Sequence, residues 1–170
     1  MATRVTAIVP EAHMVSPVRL LTMQLPKTQA FAPTGVGGIA HMTPALAAAH
    51  AAGMPDRWWM AARWKWMHDT SVALELFDAL LVEVRAVSAA EKWHGVREQL
   101  LSDFSELALA ELMYPGHFGG EHGEARRRVW LSMTKAAWSR RRRLYDATFR
   151  IVNDWAAMAF GFLQAAQRED

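Results

Sequence analysis

Hydrophobic positions recur every three or four residues from residue 56 to the end of the chain, a spacing typical of amphipathic helices. One apolar stripe covers residues 72–84, a second covers 93–112 and a third covers 138–162. The longest strand-like run is only residues 5–9. The pattern therefore predicts an all-α protein.

Short motifs between the stripes predict where helices begin and end. The run SAAE at 88–91 has the serine and glutamate spacing of a capping box, so a helix is expected to begin there. The run YPG at 114–116 predicts the end of that helix. Four glycines within residues 116–123 predict a loop, and a short helix is expected over about 121–130.

The first 55 residues have a different character. Six of the seven prolines lie there, seven to eleven residues apart, and only four residues of this stretch are charged. Such spacing leaves room for one short alanine helix over 44–52, with Thr43 as its N-cap and Gly53 as its stop. We therefore expect a long irregular, proline-rich apolar arm at 1–55 and a helical domain at 56–170.

Charge is distributed unevenly along the helical part. Residues 121–150 carry nine Lys or Arg against three acidic residues, whereas residues 68–114 carry nine acidic residues against three cations. A strongly cationic segment of this kind is typical of a surface that meets a polyanion. The alternative is a basic surface helix in an ordinary bundle.

Residues 121–143 have the layout of a helix-turn-helix. A short helix precedes a break at 131–133, and Thr134 opens a long helix whose first turn is polar and whose next turns carry arginines. In this interpretation Met133 and Trp138 tie the break and the second helix to the core. The predicted DNA-binding residues are Lys135, Ala136, Ser139 and Arg140 facing the bases, Arg126, Arg127, Arg142 and Arg143 neutralising phosphates, and Thr134 and Arg128 beside them.

The run LSMTKAAWSRR at 131–141 resembles the leucine-glycine-hydrophobic-serine-lysine stretch of small phage and sigma-region-4-like helix-turn-helices. A tryptophan-rich start, an acidic body ending in ELALAELMYP, this module and a tryptophan-bearing tail together resemble phage late-gene antitermination proteins of the Q type. The resemblance covers residues 100–155. It departs from the pattern at Ser132, where glycine is usual, and at Arg128, where a small residue is expected unless Ala125 takes that role.

The resemblance implies a sequence-specific transcription regulator that binds duplex DNA near a phage late promoter. It also implies transfer onto paused host RNA polymerase, so that terminators are read through. The expected location is then the cytoplasm of a bacterial host cell. The alternative class is a phage structural or packaging protein, either a small terminase subunit or a particle adaptor, with an α-helical oligomeric body.

The sequence predicts neither a catalytic site nor a metal site. There are no cysteines, and the seven histidines show no zinc-binding spacing, so neither a metal nor another cofactor is expected. No nucleophile elbow or paired-carboxylate arrangement stands out, which argues against an enzyme. The tryptophan-rich and basic stretch at 57–67 is compatible with a membrane interface, but core packing with exposed cations is favoured, and no membrane partner is predicted.

Overall fold

The computed structural model describes residues 48–93 and 95–169, with no side-chain detail for 167–169. Within these ranges the protein is all-α, as predicted, and no strand is present. The helices are α1 (Asp56–Met67), α2 (Ala73–Ala90), α3 (Glu98–Met113), α4 (Pro115–Phe118), α5 (Gly123–Trp130) and α6 (Lys135–Glu169), and a 3-10 turn (Thr70–Val72) precedes α2.

The predicted arm lies almost entirely outside the described residues. Of the predicted alanine helix, only the end is described, where residues 48–50 are helical. Gly53 follows with φ 87°, the left-handed conformation expected of a glycine that stops a helix.

The longest helix, α6, forms one side of the core along much of its length. Its 35 residues span about 52 Å at 1.5 Å per residue, and it packs against α1, α2 and α3. The helix can do this because its buried side chains recur at helical spacing along one face. They include Trp138, Leu144, Val152, Trp155 and Leu163.

The C-terminal half of α3 is the most deeply buried segment of the described structure. Residues 104–113 are all buried, including the carboxylates Glu106 and Glu111. The Trp64 indole N–H donates to the Leu109 carbonyl at 2.7 Å, which places Trp64 in the core as the favoured interpretation expected. Within the described ranges, no helix combines the length and apolar character that crossing a membrane requires.

The capping-box prediction at 88–91 is wrong. Ser88 belongs to the last turn of α2, and its carbonyl accepts the Trp93 N–H at 3.1 Å. Lys92 takes a left-handed conformation with φ 53°, so this stretch ends α2, and α3 begins only at Glu98. The expected loop at 116–123 also contains part of a short helix, α4, because the proline at its first position is pre-organised for helical φ.

Candidate nucleic-acid interface

The turn between α5 and α6 is a well-formed Schellman motif. Ser132 donates its N–H to the Val129 carbonyl at 3.1 Å, and Met133 donates to the Arg128 carbonyl at 2.8 Å. Ser132 has φ 53°, the left-handed conformation that favours glycine. The predicted break is confirmed, and Ser132 adopts the backbone conformation for which helix-turn-helices usually use glycine.

Thr134 sets the start of α6. Its Oγ1 accepts the Ala137 N–H at 3.2 Å, and its carbonyl accepts the Trp138 N–H at 3.0 Å. These are the contacts of an N-cap residue, which satisfies amides that have no partner within the helix. Thr134, predicted as a DNA-binding residue, therefore has a defined structural role as well as an exposed position.

The first turns of α6 present one exposed polar face, which we call the α6 face. It is formed by Lys135, Ala136, Ser139, Arg140 and Arg143, which are all exposed. Spacings of three and four residues align positions 135, 139 and 143 on one side of the helix, with 136 and 140 beside them, while Trp138 and Leu144 are buried away from this side. The structure thus brings together the residues predicted to face the bases.

The cations of the α6 face are not used inside the protein. Among the described residues, Lys135, Arg140 and Arg143 make no ion pair or side-chain hydrogen bond. Arg142 lies at the edge of this face, with Nε 3.6 Å from Asp146 Oδ2 in a pair whose side chains are both more than half exposed. Because exposed pairs of this kind contribute little, the Arg142 guanidinium remains available to an anion.

The three arginines of α5 are placed differently. Arg127 is bound by Glu111, and Arg128 Nε lies 3.8 Å from Glu124 Oε1. The exposed Arg126 donates from Nη1 to the His117 carbonyl at 2.5 Å. All three are among the predicted DNA-binding residues, but the structure turns Arg127 and Arg128 toward carboxylates of the protein.

The packing of α5 also differs from the packing of the first helix in a typical helix-turn-helix. This helix packs chiefly on α4, and the α5–α6 pair is not among the extensive helix contacts of the described residues. Ala125 is exposed, so it does not take the part of the small residue at a close helix crossing. The sequential layout of a helix-turn-helix is present, while its close packing between the two helices is absent from the described structure.

Glu111 is a residue that the sequence reasoning missed. Its carboxylate accepts Arg127 Nε at 2.7 Å and Nη2 at 2.5 Å, and it accepts the Tyr145 hydroxyl as well. Burial, together with the charge of Glu111, raises the pKa of Tyr145, and the bond to Glu111 raises the pKa of Arg127. A glutamate inside the apolar run LALAELM was the available signal, because a buried charge needs a partner.

Arg141 does not belong to the α6 face. It lines an open cleft beside the start of α3, together with Arg97 and Asp103. The run of four arginines at 140–143 therefore surrounds the helix, since successive residues are about 100° apart, and one flat partner cannot meet all four.

His117, one of the two histidines of the glycine-rich segment, packs edge-on against Phe118 with ring centroids 4.8 Å apart. In the described ranges, no three His, Asp or Glu side chains form a group that could hold a metal ion.

Comparisons of the chain with protein-family models, curated proteins and solved structures gave no match.

Proposed function

We propose that the protein binds duplex DNA through the α6 face. The observation that carries this proposal is a single exposed helix face on which Lys135, Arg140 and Arg143 have no carboxylate partner among the described residues. Unneutralised cations at this density attract a polyanion, and one helix with its side chains fits the major groove.

The proposed roles follow from the position of each side chain. Lys135 and Arg140 can donate to guanine O6 and N7, whereas Ala136 offers a methyl group to thymine. Arg126, Arg142 and Arg143 neutralise phosphates in this proposal, and such phosphate contacts fix orientation without carrying sequence information. Arg127 and Arg128 have no role in this proposal, because Arg127 is hydrogen-bonded to Glu111 and the Arg128 Nε is buried beside Glu124.

We further propose that the DNA-bound protein is a phage transcription regulator that loads onto host RNA polymerase and suppresses termination. This step rests on the resemblance of residues 100–155 to Q-type antitermination proteins. The separation of charge supports it, since exposed acids such as Glu75 and Asp78 lie on α2, away from the cationic start of α6 in sequence. Co-purification with the polymerase and a run-off assay across a terminator test this step.

The DNA-binding step is tested with charge-matched variants of the full chain. The double substitution Arg140→Gln and Arg143→Gln removes two cations from the α6 face. The control, Arg85→Gln with Lys92→Gln, removes two exposed cations from α2 and the residues that follow it. Fluorescence anisotropy with a labelled duplex at about 0.1 M salt should show a loss of roughly tenfold or more for the first pair. The control should change affinity less than twofold, and equal effects of the two pairs would overturn the proposal.

A second candidate function is supported by a different surface. Leu74 and Val82 lie about two turns apart on α2, and they are 54% and 59% exposed. Exposed apolar side chains of this size suit contact with another subunit. This observation favours the phage structural or packaging class, in which an α-helical body assembles into an oligomer.

A further inference from the structure

The side chains of Glu111, Arg127 and Tyr145 form a compact network, which we call the Glu111 cluster. Glu111 is 7% exposed, and its two oxygens accept two hydrogen bonds from Arg127 and one from Tyr145. The Arg127 guanidinium carbon also lies 5.9 Å from the centre of the Tyr145 ring. Bidentate contacts between arginine and a carboxylate fix both distance and angle, so this network constrains orientation as well as proximity.

The cluster joins three helices next to the candidate interface. Glu111 belongs to α3, Arg127 to α5 and Tyr145 to α6. Arg127 is adjacent to Arg128, whose carbonyl closes the turn, and Tyr145 lies two residues beyond Arg143 of the α6 face. Any rotation of α5 or of the start of α6 would therefore strain this network.

Helix α5 also meets the main body through apolar contact, because the partly buried Trp130 packs against the hydrophobic core. Gly123 is its one buried residue, and its extensive contacts are with α4. Trp130 adds a ring contact with Phe118 of α4, at 5.8 Å between centroids. The Glu111 cluster adds a strong, directional link from α5 to both α3 and α6.

We propose that Glu111 and Tyr145 are positioning residues for DNA binding, which hold α5 and the turn in register with the α6 face through Arg127. In this arrangement the charged cluster replaces the small-residue helix crossing of a standard helix-turn-helix. The link to DNA rests on the proposed function. Holding α5 and the turn in place, which we call the mechanical role of the cluster, is a separate property of the fold.

The test compares Glu111→Gln and Tyr145→Phe with the control Arg85→Gln. Glutamine keeps the shape of Glu111 without its charge, and phenylalanine keeps the ring of Tyr145 without its hydroxyl. The control breaks the exposed Arg85–Glu98 pair, which is remote from the turn in sequence. Tyr145→Phe is the milder variant, so it carries the test if Glu111→Gln does not fold.

The first measurement is hydrogen exchange of single amides in the full chain without DNA. If the cluster fixes the turn, the amides of Ser132 and Met133 should exchange at least tenfold faster in both cluster variants, while those of α1 keep their wild-type rates. Unchanged exchange at the turn, or equal acceleration of all amides, overturns the mechanical role whether or not the protein binds DNA.

The second measurement is duplex affinity at a temperature at which every variant is fully folded. The cluster variants should bind at least fivefold more weakly with an unchanged salt dependence, because no phosphate contact is removed. Wild-type affinity with a loosened turn would overturn the positioning role. Failure of the wild-type protein to bind DNA would instead overturn the proposed function, and the exchange result would still decide the mechanical role.

Discussion

The amide of Met133 donates a hydrogen bond to the carbonyl oxygen of Arg128 at 2.8 Å, and this bond closes the C-terminal end of α5. The geometry requires Ser132 to take φ 53°. A side chain in this conformation is strained, and glycine removes the strain at some cost in unfolded-state entropy.

We therefore expect Ser132→Gly to raise the free energy of unfolding by about 0.5 kcal/mol. Ser132→Val should lower it by more than about 1 kcal/mol, because a β-branched residue suits positive φ least. Urea denaturation of the two variants checks the signs. A glycine variant less stable than the valine variant would contradict the assigned turn.

The N-cap of α6 yields a second prediction. Thr134→Ala removes the acceptor for the Ala137 N–H and should lower the free energy of unfolding by about 1 kcal/mol. Thr134→Ser keeps the hydroxyl and is the matched control, with an expected change of less than about 0.5 kcal/mol. Equal stability of the alanine and serine variants would show that the Thr134 hydroxyl contributes nothing to the free energy of unfolding.

Tyr145 should make the protein sensitive to alkaline pH. An unfolded tyrosine has a pKa near 10, whereas burial and Glu111 raise the pKa of Tyr145 in the folded state. Below pH 10 both states keep the proton, so its contribution to stability is fully present there. Above pH 10 only the unfolded state releases the proton, and stability falls by up to about 1.4 kcal/mol per pH unit.

The Tyr145→Phe variant isolates this effect. Between about pH 9.5 and pH 11, wild type should lose about 1 kcal/mol more stability than the variant, as measured by urea denaturation at each pH. Desolvation lowers the pKa of Lys65, but this residue is present in both proteins and so does not enter the difference. Identical losses in the two proteins would mean that Tyr145 ionises as freely in the folded state as in the unfolded one.

The exposed apolar pair on α2 separates the two candidate functions. If the protein assembles through this face, the double substitution Leu74→Ser and Val82→Ser should convert an oligomer into a monomer, as measured by light scattering on a sizing column. The matched control is Val129→Ser, which removes a side chain that is 79% exposed on α5. A wild-type monomer at all concentrations would count against the structural or packaging class.

The sequence was sufficient to predict the class of fold and the position of the α5–α6 turn. Both depend on local signals, since apolar spacing sets the buried face of each helix and the short run at 131–134 lacks helical periodicity. The capping-box prediction failed because the SAAE run also fits the last turn of a helix. The left-handed conformation of Lys92, which the sequence does not signal, ends α2 there.

The local sequence does not predict which arginines pair with carboxylates of the protein and which stay exposed. Arg127 pairs with Glu111, 16 residues away, whereas Arg143 remains exposed, and no property of either arginine alone distinguishes them. Only the three-dimensional packing of α3 between its neighbours shows which guanidinium meets the buried carboxylate. The exposed set on α6 was predictable because helical spacing fixes it.

DNA binding by the α6 face is tested by the slope of the logarithm of the DNA association constant against the logarithm of salt concentration. If Arg126, Arg142 and Arg143 neutralise three phosphates, the full chain should show a slope of about −3, since each contributes about −0.9. Arg143→Gln should reduce the steepness by about 1 while leaving the folded state intact. A slope near zero for the wild-type protein, or an unchanged slope in the variant, would contradict DNA binding by the α6 face.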